Sequence, residues 1–185
     1  MINKLICAVL CSAFFVTAAK ATPIQWTAGS GGNGHFYEVI SAPGIDFEVA
    51  ESAALGLGAG WNLASITSVA EQAFIISLLP NSPADRDHYW LGGTDRVTEG
   101  VWEWLDGEVF TYTNWWSGEP NNSSAENFLA MDYRNGSWTW MWNDVNNNFP
   151  QLVKGYIVES VPEPTTLALL GLGLAGLGFR AKRKK

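Results

Sequence analysis

The stretch GEPNNSSAEN, residues 118–127, and the tripeptide WND, residues 142–144, form the most specific pattern in this 185-residue chain. Together they hold five side chains that end in carboxylate or amide oxygens: Glu119, Asn121, Glu126, Asn143 and Asp144. Such oxygens are the ligands that a hard cation such as calcium prefers, and about six to eight of them surround the ion. We therefore expect a calcium site where the loop around Pro120 meets the segment that ends at Asp144.

Two helices are predicted before this pattern. Asp46 is a suitable N-cap, and apolar residues at helical spacing follow it as far as Leu57. Ser68 and Glu71 form a capping-box pattern that opens a second helix, which ends at Pro80. The first half of the chain therefore predicts two helices separated by a short strand.

Strands dominate the rest of the prediction. They are expected at residues 35–40, 63–66, 89–93, 102–104, 109–112, 128–133, 138–142 and 155–159. Asp106-Gly107 and Asn135-Gly136 are typical of tight hairpin turns. The fold class is therefore α+β, and the longest irregular stretch, residues 115–125, carries part of the candidate site.

The N-terminus resembles a secretory signal. Lys4 precedes an apolar run from Leu5 to Val16, and Ala19-Lys20-Ala21 supplies small residues at the two positions that a signal peptidase reads. We predict that residues 1–21 are cleaved. Both cysteines, Cys7 and Cys11, fall inside this segment, so the mature chain would have no disulfide bond despite its export.

The C-terminus, residues 161–185, has a second targeting pattern. Pro162, Glu163 and Pro164 precede an apolar, glycine-rich run at residues 167–179 and a basic cluster at residues 180–185. Roughly 20 apolar residues span a bilayer, so the run is short for a membrane helix, and its basic end would stay in the cytoplasm. An ordinary C-terminal anchor helix is one interpretation.

The same tail is similar to the PEP-CTERM sorting signal of Gram-negative bacteria. That resemblance implies an inner-membrane anchor through the C-terminal transmembrane helix, held until an exosortase processes the protein. The expected destination is the cell surface or an extracellular polysaccharide matrix.

The remaining residues, 22–160, are predicted to form one domain with a strongly acidic surface. They contain 17 of the 18 acidic residues but only four of the 11 basic residues, which gives a formal charge of −13. Such a surface repels nucleic acid and anionic lipid, so neither is expected as a partner. It is suited to divalent cations.

An enzymatic function has little support in this domain. It contains two histidines, His35 and His88, no cysteine, and neither a G-x-S-x-G nor an H-E-x-x-H motif. We therefore predict a binding protein.

The order of motifs resembles that of the C-type lectin family over about residues 34–159. Six pieces carry the resemblance: residues 63–66, 90–93, 119–121, 126, 142–144 and 156–159. It implies the C-type lectin-like fold, with two helices packed on small antiparallel sheets and a long calcium-binding loop region. The family usually has disulfide bonds, whereas this chain has Phe128 and Ile157 or Val158 near the places of two cysteines, where apolar packing would substitute.

The resemblance also implies roles for individual residues. Glu119, Asn121, Glu126, Asn143 and Asp144 would ligate one Ca²⁺, and two vicinal hydroxyls of a carbohydrate would complete its coordination. The two glutamates and two asparagines would also hydrogen-bond the sugar. E-P-N resembles the version of the motif that prefers mannose-type sugars, and Pro120 permits a cis peptide bond. Trp115 and Trp116 are candidate ligand contacts, and Asn127 argues against a second ion.

Two alternatives stay open. Residues 119–124 also have the composition of a solvated loop, and Asn143-Asp144 could be only a polar strand end. The competing function is that of a structural or protein-interaction domain of the cell surface or polysaccharide matrix that binds no sugar, because a fold does not fix a function.

Overall fold

The computed structural model describes residues 22–134 and 140–162. The predicted signal, the tail beyond Pro162 and the turn at Asn135-Gly136 lie outside the described residues. Within them are the helices α1 (Phe47–Leu55) and α2 (Val69–Leu78) and the strands β1 (Ile24–Gln25), β2 (Phe36–Ser41), β3 (Trp61–Leu63), β4 (His88–Thr94), β5 (Glu103–Trp104), β6 (Phe128–Asp132), β7 (Met141–Val145) and β8 (Val153–Ser160). None of the described helices is long and apolar enough to cross a membrane.

One sheet joins the described strands in the order β1-β2-β8-β4-β6-β7, with β3 paired to β8 and β5 paired to β4. The pair of β4 and β8 is parallel, and the other pairs are antiparallel. The sheet is therefore mixed, rather than the small antiparallel sheets that were expected. The α+β class is confirmed.

Apolar clusters cover both faces of this sheet. Alternate residues of a strand point to opposite faces, and in β4 Leu91 joins the cluster that includes Ile75 of α2, whereas Trp90 joins the cluster that includes Phe47 of α1. β6 and β8 alternate in the same way. The central strands are therefore buried on both faces, which fixes their register and the position of β7 beside them.

Both predicted helices are present, but their ends are held differently from the prediction. α1 starts after Asp46, yet the amide of Phe47 donates to Asn147 Oδ1 at 3.0 Å, and the side chain of Asp46 makes no cap hydrogen bond. α2 starts after Ser68, whose Oγ accepts from the amide of Glu71 at 3.1 Å. The carboxylate of Glu71 accepts from the amide of Thr67 at 2.7 Å, one residue earlier than a capping box requires.

Two strand predictions are wrong. Of residues 63–66 only Leu63 is in a strand, because the amide of Ser65 donates to the carboxylate of Glu159 at 3.1 Å instead of to a neighbouring strand. Residues 109–112 are not a strand either, since β5 pairs with β4 and the ring of Phe110 packs 4.8 Å from that of Trp104. The region after β5 is therefore loop without a hairpin at Asp106-Gly107.

Aromatic packing occupies one position where the resemblance places a cysteine in the family. The ring of Phe128 in β6 stacks on Phe47 of α1, with ring centres 4.2 Å apart and planes inclined by 11°. Ile157 and Val158 of β8 are fully buried. These contacts join α1, β6 and β8 without covalent bonds, as the apolar residues at these positions predicted.

Candidate calcium site

Asp144 in β7 connects the long loop to the sheet. Its side chain is almost fully buried, and its Oδ2 accepts hydrogen bonds from the amides of Asn121 at 2.9 Å and Asn122 at 2.6 Å. A buried carboxylate needs such partners because an unpaired one would carry a large desolvation cost. The two halves of the sequence pattern therefore meet, as predicted.

The loop before Pro120 is fixed by backbone hydrogen bonds to β7. The amide of Trp116 donates to Trp142 O at 2.8 Å, and the amide of Glu119 donates to Trp116 O at 3.0 Å. The peptide bond between Glu119 and Pro120 is cis. The side-chain amide of Asn121 donates to Glu119 Oε2, so the first two predicted ligands touch each other.

The loop after Asn121 turns sharply to bring Glu126 to the site. Asn122, Ser124 and Ala125 have φ angles of 50°, 70° and 61°, in the left-handed region that side chains disfavour. Asn122 Oδ1 accepts from the amide of Glu126 at 2.9 Å, which closes this turn. Strained backbone of this kind is found at ligand sites, where the surrounding structure maintains it.

Three carboxylates, those of Glu119, Glu126 and Asp144, lie close enough here to influence one another's charge. Burial raises the pKa of Glu119 above its usual range, and contact with Asp144 raises it further. Burial raises the pKa of Glu126 to about 7, with the negative charges of Asp144 and Glu119 adding to the effect. In the absence of a cation, the negative charge of Asp144 adds to the effect of burial and favours the protonated forms of Glu119 and Glu126.

A hard divalent cation fits this donor set. Asp144 Oδ1 and Asn143 Oδ1 are buried and have no hydrogen-bond partner among the described residues. Oxygens left unpaired in a protein interior are costly, and a bound cation would satisfy them. It would also offset the repulsion that raises the pKa of both glutamates.

The side chain of Asn143 contacts strand β6 rather than the loop that carries other predicted ligands. Its Nδ2 lies 3.5 Å from Oδ2 of Asp132, a buried residue of β6. Asp132 Oδ1 is also 3.2 Å from His88 Nε2. Within the described residues, no group of three or more His, Cys, Asp or Glu side chains is arranged to hold a metal ion. The acidic side chains alone therefore do not form a metal site, and a calcium site here also needs the side-chain oxygens of Asn121 and Asn143.

The two tryptophans proposed as ligand contacts lie in different surroundings. Trp115 packs its ring against Trp102 and the fully buried Trp142, with centres 4.8 Å and 5.6 Å apart. Trp116 is half-buried, and the guanidinium carbon of Arg134 lies 6.0 Å from its ring centre. Trp115 therefore belongs to an aromatic cluster, whereas Trp116 lies beside an arginine. Both assignments stay predictions.

Sequence reasoning did not assign three residues that help to form the site. Asn146, directly after β7, donates to Ser124 O at 3.1 Å and holds the strained turn. Asp95 is buried behind the loop, where its amide donates to Asn127 O at 3.3 Å. Burial and the charges of Asp95 and Asp144 raise the pKa of Glu99, which places Glu99 in the same electrostatic region. The spacing of Asp95 and Glu99 was visible in the sequence, but only the fold shows the contact between the backbone of Asp95 and that of Asn127.

Two family profiles match the chain. The Lectin C-type domain matches residues 50–153, more than half of the chain, and the PEP-CTERM protein-sorting motif matches residues 160–184. Both matches confirm the resemblances that the sequence indicated.

Similar proteins and structures agree with these profiles. Ladderlectin of Oncorhynchus mykiss is 39% identical over 63% of this chain and 61% of its own length. The galactose-specific lectin nattectin of Thalassophryne nattereri is 36% identical over 51% of this chain and 58% of its own. The chain thus spans about three fifths of the length of these relatives. The crystal structure of the C-type lectin CEL-I from Cucumaria echinata superposes with a TM-score of 0.60 at 24% identity, covering 70% of this chain and 91% of that one.

Proposed function

This chain belongs to the C-type lectin family, and from that premise we propose that it binds a carbohydrate through one calcium ion. The family and the fold are those of lectins and not of enzymes, as the sequence predicted. Calcium dependence, the class of sugar and the place of action are the parts of this proposal that go beyond family membership.

The contact between Asp144 and the E-P-N loop carries the proposal. A buried carboxylate that accepts from two loop amides with one oxygen, and has its other oxygen unpaired, is prepared for a cation. Glu119 and Glu126 lie close enough for the charge of Asp144 to raise the pKa of each, after the larger effect of burial. The three carboxylates would hold Ca²⁺ together with Asn121 and Asn143.

The chain's own residues would bind and orient the sugar. When bound, calcium supplies open coordination positions for two vicinal hydroxyls. Glu119 accepts hydrogen bonds and Asn121 donates them, so the pair can distinguish the two hydroxyls by direction. The backbone of both residues is fixed to β7, through Trp116 and Asp144 respectively, and such preorganisation reduces the entropy lost on binding.

The E-P-N motif favours a mannose-type sugar in this proposal. The galactose specificity in the name of nattectin belongs to that relative, which matches only half of this chain. We extend the proposal to export and display at the cell surface or in an extracellular matrix, on the basis of the matched sorting motif. Processing by an exosortase and anchoring by residues 167–179 remain predictions outside the described residues.

A glycan-binding assay in calcium and in excess chelator tests the proposal. We expect calcium-dependent binding to mannose-type oligosaccharides, lost in the chelator and in Asp144→Asn. Glu108→Gln is the matched control, because it removes an acidic charge from an exposed side chain outside the site. Equal binding with and without calcium, or in Asp144→Asn, would refute the calcium mechanism.

The competing function is a surface or matrix domain without sugar binding. It is favoured by the contacts that the loop residues make with one another, since Asn121 pairs with Glu119 and Asn143 is directed to Asp132. The unpaired oxygen of Asp144 argues against it, because a loop that binds no cation gains nothing from that buried oxygen. This alternative would be supported if no glycan bound in the same assay and if calcium did not change the unfolding temperature of the protein.

A further inference from the structure

Arginine is scarce in this acidic domain, yet two arginines lie beside the candidate site. The four basic residues of residues 22–160 are Arg86, Arg96, Arg134 and Lys154. Arg96 makes two hydrogen bonds to the carboxylate of Glu51 in α1, at 2.9 and 3.0 Å. Lys154 lies 3.3 Å from Asp87 Oδ1. Arg86 and Arg134 are placed differently, at the edge of the loop that holds the predicted calcium ligands.

The side chain of Arg134 is held by a hydrogen bond to a buried carboxylate. Its Nε donates to Asp132 Oδ2 at 2.5 Å, and the side chain of Asp132 is only 1% exposed. The guanidinium group lies over the half-buried ring of Trp116. This contact links it to the predicted ligands, since Trp116 O accepts from the amide of Glu119. An arginine held through Nε keeps its two terminal nitrogens as a fork directed away from the anchor.

Arg86 lies at the same edge, where its backbone bonds to the residue before Arg134. Its amide donates to the carbonyl of Tyr133, the neighbour of Arg134, at 2.6 Å, and its side chain is exposed. Burial raises the pKa of Glu119 and of Glu126, and the charges of Arg134 and Arg86 respectively oppose that rise. Both guanidinium groups therefore lie within electrostatic range of the predicted calcium ligands.

Local charge at the site differs from that of the whole domain. A calcium ion and two arginines would bring four positive charges, which offset most of the six negative charges of Glu119, Glu126, Asp144, Asp132, Asp95 and Glu99. The arginine fork pairs well with a carboxylate, through two parallel hydrogen bonds. The carboxylate of an anionic sugar would therefore pair with the guanidinium of Arg134 at this edge, although the domain as a whole is acidic.

We infer that the site selects an acidic polysaccharide, with hydroxyls on calcium and the uronic acid carboxylate on Arg134, supported by Arg86. This inference rests on the proposed calcium-dependent sugar binding and names its substrate class. The matrix polymer bound would then be a polyuronate rather than a neutral mannan. Arg134 is the specificity-determining residue, because its geometry is fixed by Asp132, whereas Arg86 adds charge.

Two oligosaccharides that differ in one group test the inference. The first is a short β-1,4-linked mannuronate oligomer, and the second is the same oligomer after reduction of its carboxylates to the neutral mannose form. Calorimetry with the purified full chain, at one fixed free calcium concentration, should show the acidic oligomer binding about tenfold more tightly, as expected for charge-assisted hydrogen bonds. A sulfated mannose oligomer distinguishes a carboxylate preference from a general preference for anions.

The arginine variants complete the experiment. Arg134→Gln should weaken binding of the acidic oligomer more than that of the neutral one and so lose the preference, because only the acidic oligomer bonds to the guanidinium. Loss of the hydrogen bond to Asp132 should affect both oligomers alike. Arg134→Lys should recover only part of it, since lysine lacks the fork. Arg96→Gln is the control, because it removes the same charge from a guanidinium held by Glu51.

The outcomes separate this inference from the proposed function. Calcium-dependent binding of both oligomers with equal affinity would overturn the inference and leave the proposed function standing. So would an equal loss of both ligands in Arg134→Gln, which would mean a structural role for Arg134. Tighter binding of the sulfated oligomer than of the mannuronate oligomer would overturn the carboxylate assignment. No calcium-dependent binding of any oligomer would overturn the proposed function itself.

Discussion

The sheet with its two helices and the loop at residues 115–127 are held together by different interactions. In the sheet, alternate residues pack into apolar clusters on both faces, and stacked rings such as Phe47 and Phe128 join its layers. In the loop, polar contacts dominate, with Asp144 accepting from two amides and Asn146 donating to Ser124 O. Loss of apolar contacts should therefore affect the whole fold, and loss of polar contacts mainly the loop.

Phe128→Ala should give the largest change in stability. The ring is 8% exposed and stacks at 4.2 Å on Phe47, so its removal should lower the free energy of unfolding by about 3–5 kcal/mol. Urea denaturation measures this loss. Val109→Ala, at a side chain that is 69% exposed, is the control and should change stability by less than about 0.5 kcal/mol. Equal effects of the two variants would mean that the stack is not a structural substitute for a covalent bond.

Asp144→Asn should give a smaller and local change, when measured in chelator. It weakens the hydrogen bonds to the amides of Asn121 and Asn122, for an expected loss of about 1–3 kcal/mol. Hydrogen exchange should accelerate at these two amides and not in β4 or β8. Uniform acceleration across the sheet would show that Asp144 stabilises the whole fold, against the division proposed above.

The pH dependence of calcium-free stability should distinguish the loop from the sheet. Burial, with the charges of Asp144 and Glu119, raises the pKa of Glu126 to about 7, from 4.5 for an ordinary glutamate. The folded protein therefore binds more protons than the unfolded chain between these values, and Glu126 favours folding more as pH falls from about 8 to 5. Because the side chain is only partly buried, solvent screens this effect, and we expect less than about 1 kcal/mol from it.

Glu126→Gln isolates this contribution, since glutamine does not titrate. The difference in unfolding free energy between wild type and Glu126→Gln, in chelator, should change across this window and be flat above pH 8. Calcium affinity of the wild type should have the opposite slope, because protons compete with the ion. A wild-type curve parallel to that of Glu126→Gln would exclude the raised pKa.

Ala125→Gly should have the smallest effect and tests the strained turn. Ala125 has a φ angle of 61°, which glycine adopts without the steric cost of a Cβ atom. Relief of this cost is opposed by the greater freedom of glycine in the unfolded chain, so stability should change by less than about 1 kcal/mol. Ala53→Gly, inside α1, should instead destabilise by about 0.5–1 kcal/mol. Thermal unfolding of both variants makes the comparison, and a larger loss at Ala125 would contradict the strained conformation.

Most of the fold was predictable from local pattern. Helical spacing after Asp46 and Ser68 gave both helices, and apolar runs gave β4, β6 and β8 within a few residues. The errors lie where tertiary contacts override that pattern. The amide of Ser65 bonds to the buried carboxylate of Glu159 instead of to a neighbouring strand. The ring of Phe110 packs into a tryptophan cluster instead of lying in a hairpin strand. Neither partner is close in sequence, so no local pattern could have shown them.

The candidate site was predictable in composition but not in geometry. The E-P-N and W-N-D motifs, together with Glu126 between them, named five oxygen-bearing residues, and the structure brings Glu119, Asn121, Glu126 and Asp144 together. It also shows contacts that come from other strands, such as those of Asp132 with Asn143 and Arg134. These depend on the register of β6 with β7, which sequence spacing does not specify.

Calorimetric titration of calcium into the purified protein tests the central claim most directly. The protein should take up calcium at one saturable site, and the double variant Asn121→Ala, Asp144→Ala should show none while remaining folded by circular dichroism. A wild type with no saturable calcium uptake, or a double variant that binds as tightly as the wild type, would contradict the calcium site.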